Sequence, residues 1–270
     1  MKLHAISDLH LAAEANRAAL SEIRPRPDDW LILAGDVGET EAHLQFAFDA
    51  LQPRFKRLVW LPGNHELWAL PSGTPLRGVA RYERFVALCR ARGVLTPEDP
   101  YPVETFGGCT VRIAPLFTLY DYSFRPDDVP REKVVAWARE TGVGCADEYL
   151  LRPEPYPDRD AWCRARCAET DARLAEAAAD GVPLVLANHW PLVEALARAP
   201  RIPRFSPWCG TRLTADWHRR FNACAVVSGH LHLRSERRID GVPFHEVSLG
   251  NPREWQGRRL PDECVRLILG

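Results

Sequence analysis

The sequence predicts an α/β fold whose sheet structure is partly parallel and partly mixed or antiparallel. Three observations carry this. Short apolar runs recur along the chain, and the early ones end in Gly, Asp, Asn or His. Segments with apolar residues at helical spacing lie between the early runs. The later runs follow one another with less room for a helix, which brings in antiparallel neighbours. The chain has 270 residues, 46% hydrophobic and 26% charged. That is enough for one large core, and it excludes a disordered or fibrous protein.

Taken in order, strands are expected at 2–7, 30–34, 58–61, 111–114, 183–187, 225–228, 244–249 and 264–269. Leu44, Ala47, Phe48 and Leu51 share one helical face, as do Tyr82, Phe85, Val86 and Cys89. Cys163 and Cys167 share a stripe with Leu174, which reads as small apolar core positions. Residues 120–160 differ. They are rich in Pro, Asp, Arg and aromatics, with one helix expected through Val134, Trp137 and Ala138. A long loop with aromatics in a compact domain is expected to be ordered, as a cap or lid inserted into a single domain spanning 1–270.

Charge excludes some function classes. Lys and Arg number 35 against 36 Asp and Glu, a net formal charge of −1. There is no global pull toward nucleic acid or an anionic membrane. Only Lys2, Lys56 and Lys133 are lysines, a bias typical of GC-rich, bacterial coding. The 8 cysteines include no CxxC pair. No leader pattern opens the chain and no run is long enough to span a membrane. The expectation is a cytoplasmic protein with reduced thiols.

The chemistry lies just after the strands. Asp8-Leu9-His10 follows the first, Gly35-Asp36 the second and Gly63-Asn64-His65-Glu66 the third. Later come Asn188-His189 and Gly229-His230-Leu231-His232. Loops at the carboxyl ends of strands converge in open α/β sheets, so these groups should meet. Asp8 to Asp36 and Asp36 to Asn64 each span 28 residues, close to one strand–helix–strand repeat. Imidazoles, carboxylates and an amide without cysteine suit Mn, Fe, Zn or Ni. Seven donors exceed what one tetrahedral ion needs and suit two divalent metal ions bridged by a carboxylate, either Asp8 or Asp36.

These five blocks, in this order, resemble the calcineurin-like metallophosphoesterase superfamily. The resemblance runs from Asp8 to His232 and leaves out the 120–160 insert. It implies a four-layer αββα sandwich of two mixed sheets flanked by helices. It implies one metal held by Asp8, His10, Asp36 and His232, and a second held by Asp36, Asn64, His189 and His230. His65 would not be a ligand but an acid or electrostatic stabiliser at the leaving group. The implied activity is dinuclear metal-dependent hydrolysis of a phosphate mono- or diester of a small molecule or nucleotide, by metal-bridged hydroxide attack. One departure concerns His65. Some phosphatases of the superfamily orient this His with an Asp of the Gly-Asp loop. Here that loop reads Gly35-Asp36-Val37-Gly38-Glu39, which leaves Glu39 or Glu66 as candidates.

Two other functions would demand different features. A nuclease of the DNA-repair branch would want a clustered basic face, against the net charge of −1. A non-catalytic scaffold would have lost ligands, and none is lost. His4, His43, His218 and His245 match no block and are read as structural. Arg234, Arg237 and Arg238, just past the last block, are read as a solvated strand edge.

Overall fold

The computed structural model describes residues 1–71, 73–198, 202–257 and 259–270. Two sheets stack face to face. The first has the order β10-β1-β2-β3, built from β1 (Leu3–Ile6), β2 (Arg26–Ala34), β3 (Phe55–Leu61) and β10 (Arg266–Leu269). β1, β2 and β3 are parallel, and β10 closes the edge antiparallel to β1. The second has the order β4-β5-β6-β7-β9-β8, with β4 (Val103–Phe106), β5 (Cys109–Pro115), β6 (Leu184–Ala187), β7 (Ala223–Ser228), β8 (Ser235–Ile239) and β9 (Val242–Glu246). Its centre, β5 to β9 through β6 and β7, is parallel, and both edges are antiparallel. Both sheets are therefore mixed.

Alternation along each strand explains the layers. Leu3, Ala5, Ile32, Ala34, Val59 and Leu61 pack with Ile113, Val185, Ala187, Ala225 and Val227 between the sheets. Their neighbours Ile6, Leu31, Leu33, Leu58 and Trp60 join a second cluster with helices. On that side lie α1 (Glu14–Ser21), α2 (Glu41–Leu51) and α4 (Gly78–Ala91). The short α3 (Asn64–Leu67) precedes α4. The expected faces of α2 and α4 are the buried ones. On the outer side of the second sheet, α7 (Arg159–Ala177) buries Trp162, Cys163, Cys167 and Leu174. All eight cysteines are free thiols.

Several elements differ from expectation. β4 and β8 carry no apolar run, VETF and SERRI, so no periodicity announces them; both are edge strands with solvated faces. β2 starts at Arg26, through charged residues that pair only at the sheet rim. β9 and β10 are shorter than the expected 244–249 and 264–269. The insert contains α5 (Val134–Arg139), where a helix was expected, and also α6 (Asp147–Leu150). Tyr120, Tyr122 and Phe124 are buried. Two further short helices complete the chain, α8 (Trp217–Arg220) and α9 (Pro252–Trp255).

Asn16, fully buried on α1, ties two loops and α9 together. Its Nδ2 donates to the carbonyls of Leu9 and Gly250, at 2.7 and 2.9 Å, and its Oδ1 accepts from Trp255 Nε1. Asn16→Ala leaves all three partners unpaired in the core. It should lower the unfolding free energy by about 2–4 kcal/mol. Urea denaturation checks this; an unchanged midpoint would show that water replaces the amide.

Candidate metal centre

Every block named from the sequence lies at the carboxyl end of a parallel strand. Asp8 and His10 follow β1, Asp36 follows β2, and Asn64 and His65 follow β3. His189 follows β6, and His230 and His232 follow β7. Hydrogen bonds join the two sheets at this rim. Ser7 forms a parallel bridge with Ser248, and the N–H of Leu249 donates to the carbonyl of Ser7 at 2.8 Å.

The backbone there is unusual. Asp8, His10, Asp36, His230 and His232 have φ of +53°, +42°, +51°, +72° and +52°. Non-glycine residues in this left-handed region cost on the order of 1–3 kcal/mol each and persist where surrounding contacts hold them. Those contacts are visible. Asp8 Oδ2 accepts from Ser7 Oγ at 2.6 Å, Ser248 Oγ at 2.8 Å and the His230 N–H at 3.0 Å. Gly63 and Gly229 allow the close approach: a Cβ on either would overlap the Asp36 or the Asp8 carboxylate.

The donors form three overlapping groups: Asp8, His10 and His232; His10, Asp36 and His65; Asp36, His189 and His230. Asp36 belongs to two. Each of three imidazoles is turned by an acceptor behind it. His189 Nδ1 donates to the Ala34 carbonyl at 2.9 Å, His232 Nδ1 to Glu254 at 2.7 Å and His65 Nδ1 to Glu39 at 2.8 Å. Each Nε2 then faces a carboxylate, His189 and His65 toward Asp36 and His232 toward Asp8, at 3.4, 3.8 and 3.2 Å. Such outer acceptors are characteristic of metal-binding histidines.

Electrostatics also call for cations. Burial and the charge of nearby histidines push His10 down to about 4 and His230 down to about 3, so both rings are neutral. His189 and His232 are raised to about 10 and 11. Burial works against this, but Asp36 and Asp8 outweigh it. The buried carboxylates thus make an anionic field at the imidazoles that cations would neutralise. Two buried atoms, Asn64 Oδ1 and His230 Nε2, have no hydrogen-bond partner among the described residues. The donor set fits divalent ions.

His65 stands slightly apart. Its ring packs on Trp68, with centroids 3.6 Å apart, and its edge meets His10 at 4.5 Å. Glu39 is the residue that orients it. The other oxygen of Glu39 lies 3.3 Å from His43 Nδ1, so His43, read from sequence as structural, supports the same carboxylate. Glu66 has another task. Fully buried, it accepts backbone N–H groups of Asp36, Val37 and Gly63 at 3.0, 2.7 and 2.8 Å. Burial, with the charge of Asp36, pushes it up to about 7.

The sequence pointed to neither Asp147 nor Glu254. Asp147 comes from the insert, on α6. Its Oδ1 accepts from Asn64 Nδ2 at 3.0 Å and from Trp68 Nε1 at 2.6 Å. That fixes the amide through Nδ2 and leaves Oδ1 of Asn64 without a hydrogen-bond partner among the described residues. Neither acid sits in a recognisable block, so only distance in the fold reveals them. A cleft of about 440 Å³ opens over the cluster, with Ile202, Phe205 and Leu231 on its apolar side.

Asp147→Ala frees the Asn64 amide to rotate. Manganese affinity should fall about 10–100-fold by calorimetric titration. Asp147→Asn keeps an acceptor and should recover most of it. Equal affinity in the wild type and Asp147→Ala would show that Asn64 needs no such partner.

Comparison with known proteins gives a consistent result. A family model described as calcineurin-like phosphoesterase matches residues 1–234. The acyl-carrier-protein phosphodiesterase PptH of Mycobacterium tuberculosis is 48% identical over 272 residues, covering 99% of this chain and 83% of that protein. The crystal structure of phosphopantetheinyl hydrolase (PptH) from the same organism matches with a TM-score of 0.94 and 47% identity, over 99% of this chain and 95% of that one. The family match takes in all five loop blocks, and the chain belongs to the calcineurin-like phosphoesterases, a family of metal-dependent phosphoric ester hydrolases.

Proposed function

We propose that the chain hydrolyses the phosphodiester that links a phosphopantetheinyl group to an acyl carrier protein. The observation that carries this is the 48% identity to a phosphodiesterase named for that substrate, over nearly the whole chain. In this reading the small phosphorylated or nucleotide substrate expected from sequence gives way to an ester held on a protein. No helix among the described residues is long and apolar enough to cross a membrane.

In this reading Asp8, His10, Asp36 and His232 hold one divalent ion, and Asp36, Asn64, His189 and His230 the other. When bound, such ions supply Lewis acidity toward phosphoryl oxygens and acidify water toward neutral pH. The protein's own residues do the rest. Glu254, Asp147 and the Ala34 carbonyl keep the donors aimed, and Glu66 fixes the loop that carries Asp36. The leaving oxygen of this ester is an alkoxide, a poor leaving group. His65 gives it a proton from Nε2, while Glu39 holds the Nδ1–H. Burial disfavours a charged His65, but Asp36 and Glu39 raise its pKa above the ordinary value. The apolar side of the cleft receives the pantetheine arm, and the 120–160 insert caps the site from the side of Asp147.

The direct test is to incubate the protein and manganese with a holo-carrier protein and follow release of free phosphopantetheine by mass spectrometry. Release is expected, and Asp36→Asn should abolish it. No release, with turnover of nucleotides or DNA instead, would replace this reading with the small-molecule or nuclease one. No turnover and no bound metal would favour a scaffold.

Glu39 offers a pH test. His65 acts in its protonated form, so its pKa sets the alkaline limb of kcat/KM. Glu39→Gln removes a charge that raises this pKa, and the limb should move to lower pH. A limb that stays in place would remove the Glu39–His65 pair from the chemistry.

A further inference from the structure

A second cleft, of about 620 Å³, adjoins the metal centre and shares Leu231, His232 and Glu254 with it. It runs across the end of the second sheet, beside β8 and β9. Its apolar lining includes Leu233, Phe244 and Trp255, and Arg234, Arg237 and Arg259 stand along it.

Just over half of the other described arginines are ion-paired. Arg84, Arg131, Arg159, Arg212 and Arg220 each hold a carboxylate at 2.6–2.8 Å. Among the described residues, Arg237 and Arg259 make no side-chain hydrogen bond or ion pair. Arg234 donates only to carbonyls, those of Ser248 and Glu263, at 3.3 and 3.5 Å. The acids in the lining are otherwise engaged. Glu254 accepts from His232 and from the Asn251 N–H, and Glu246 is hydrogen-bonded to the Ser248 hydroxyl. Three guanidiniums thus face the cleft without an anion of their own, beside the phosphoryl site. Arg234 is partly desolvated, which burial registers by lowering its pKa.

The chemistry of the substrate says what they meet. In a phosphopantetheinyl ester the only anionic group of the arm is the phosphodiester, and that lies on the metals. The arm beyond it is neutral. Further anions can come only from the protein body that bears the ester. Apolar lining with cationic sides suits an amphipathic surface whose polar residues are Asp and Glu. We propose that this cleft is the docking groove for an acidic face of the carrier protein, an inference that rests on the function proposed above. Docking of this kind sets encounter and specificity more than the chemical step.

The test compares the wild type with Arg237→Glu/Arg259→Glu, both exposed positions with no internal partner to lose. Arg164→Glu, an exposed charge reversal that does not line the cleft, is the control. Two substrates are used, a holo-acyl carrier protein and bis(p-nitrophenyl) phosphate. The ratio of their kcat/KM values should fall by about tenfold or more in the double variant, through KM for the carrier, and stay put in the control. Added salt should lower the wild-type ratio and affect the double variant less. An unchanged ratio in the double variant overturns the groove and leaves the proposed activity standing. Equal loss on both substrates overturns it too, because the arginines would then serve the small ester. If the wild type does not cleave the carrier, the proposed activity fails. Binding of fluorescent apo-carrier then decides the groove separately. Binding lost in the double variant supports it, and no binding, or binding that the double variant keeps, overturns it.

Discussion

The buried carboxylate of Glu66 ties two loops into one. It takes the N–H groups of Asp36 and Val37 from the loop after β2, and of Gly63 from the loop after β3. Arg81 of α4 reinforces the same junction through the carbonyls of Glu66 and Glu39. Asp36 is held in a left-handed conformation there, and its Oδ1 accepts the His65 N–H at 2.9 Å. The residue shared by two donor groups, the residue that follows Asn64 and the glutamate behind His65 therefore depend on one interaction. Removal of one partner of such a network exposes several buried amides at once, so its effect exceeds that of a single hydrogen bond.

The second sheet meets this junction through Asp8. Its carboxylate is held by Ser7, Ser248 and the His230 N–H, so β1, the segment after β9 and the loop after β7 converge on one side chain. The strained backbone at five donor positions is the cost of turning adjacent loops toward one point. Glycines at 35, 63 and 229 leave room for the carboxylates, and a side chain there would occupy the place of an oxygen or a ring.

Much of this was legible from sequence because strand ends and metal donors follow simple rules. Apolar runs gave β1, β3, β5, β6 and β7, and the loops after four of these and β2 carry Asp8, His10, Asp36, Asn64, His65, His189, His230 and His232, which the fold brings together. The edge strands β4 and β8 escaped because an edge needs neither apolar alternation nor a buried face. Asp147 and Glu254 escaped for a different reason. Their partners, Asn64 and His232, lie 83 and 22 residues away, and nothing in the local sequence of a lone acid records a distant amide or imidazole. Glu39 was named only as one of two candidates, since choosing between it and Glu66 required knowing which acid faces the ring and which faces the backbone.

The bond from Asp147 to Asn64 has a consequence for how this architecture can be varied. An insert between β5 and β6 is ordinarily an interchangeable part, free to lengthen, shrink or be swapped between relatives. Here it also supplies an acceptor to the donor residue after β3 and to Trp68, the platform under His65. A chimaera that imported a foreign insert would inherit a donor amide with no fixed orientation. The insert, the Asn64 loop and Trp68 therefore form one heritable unit, and successful recombination has to move them together.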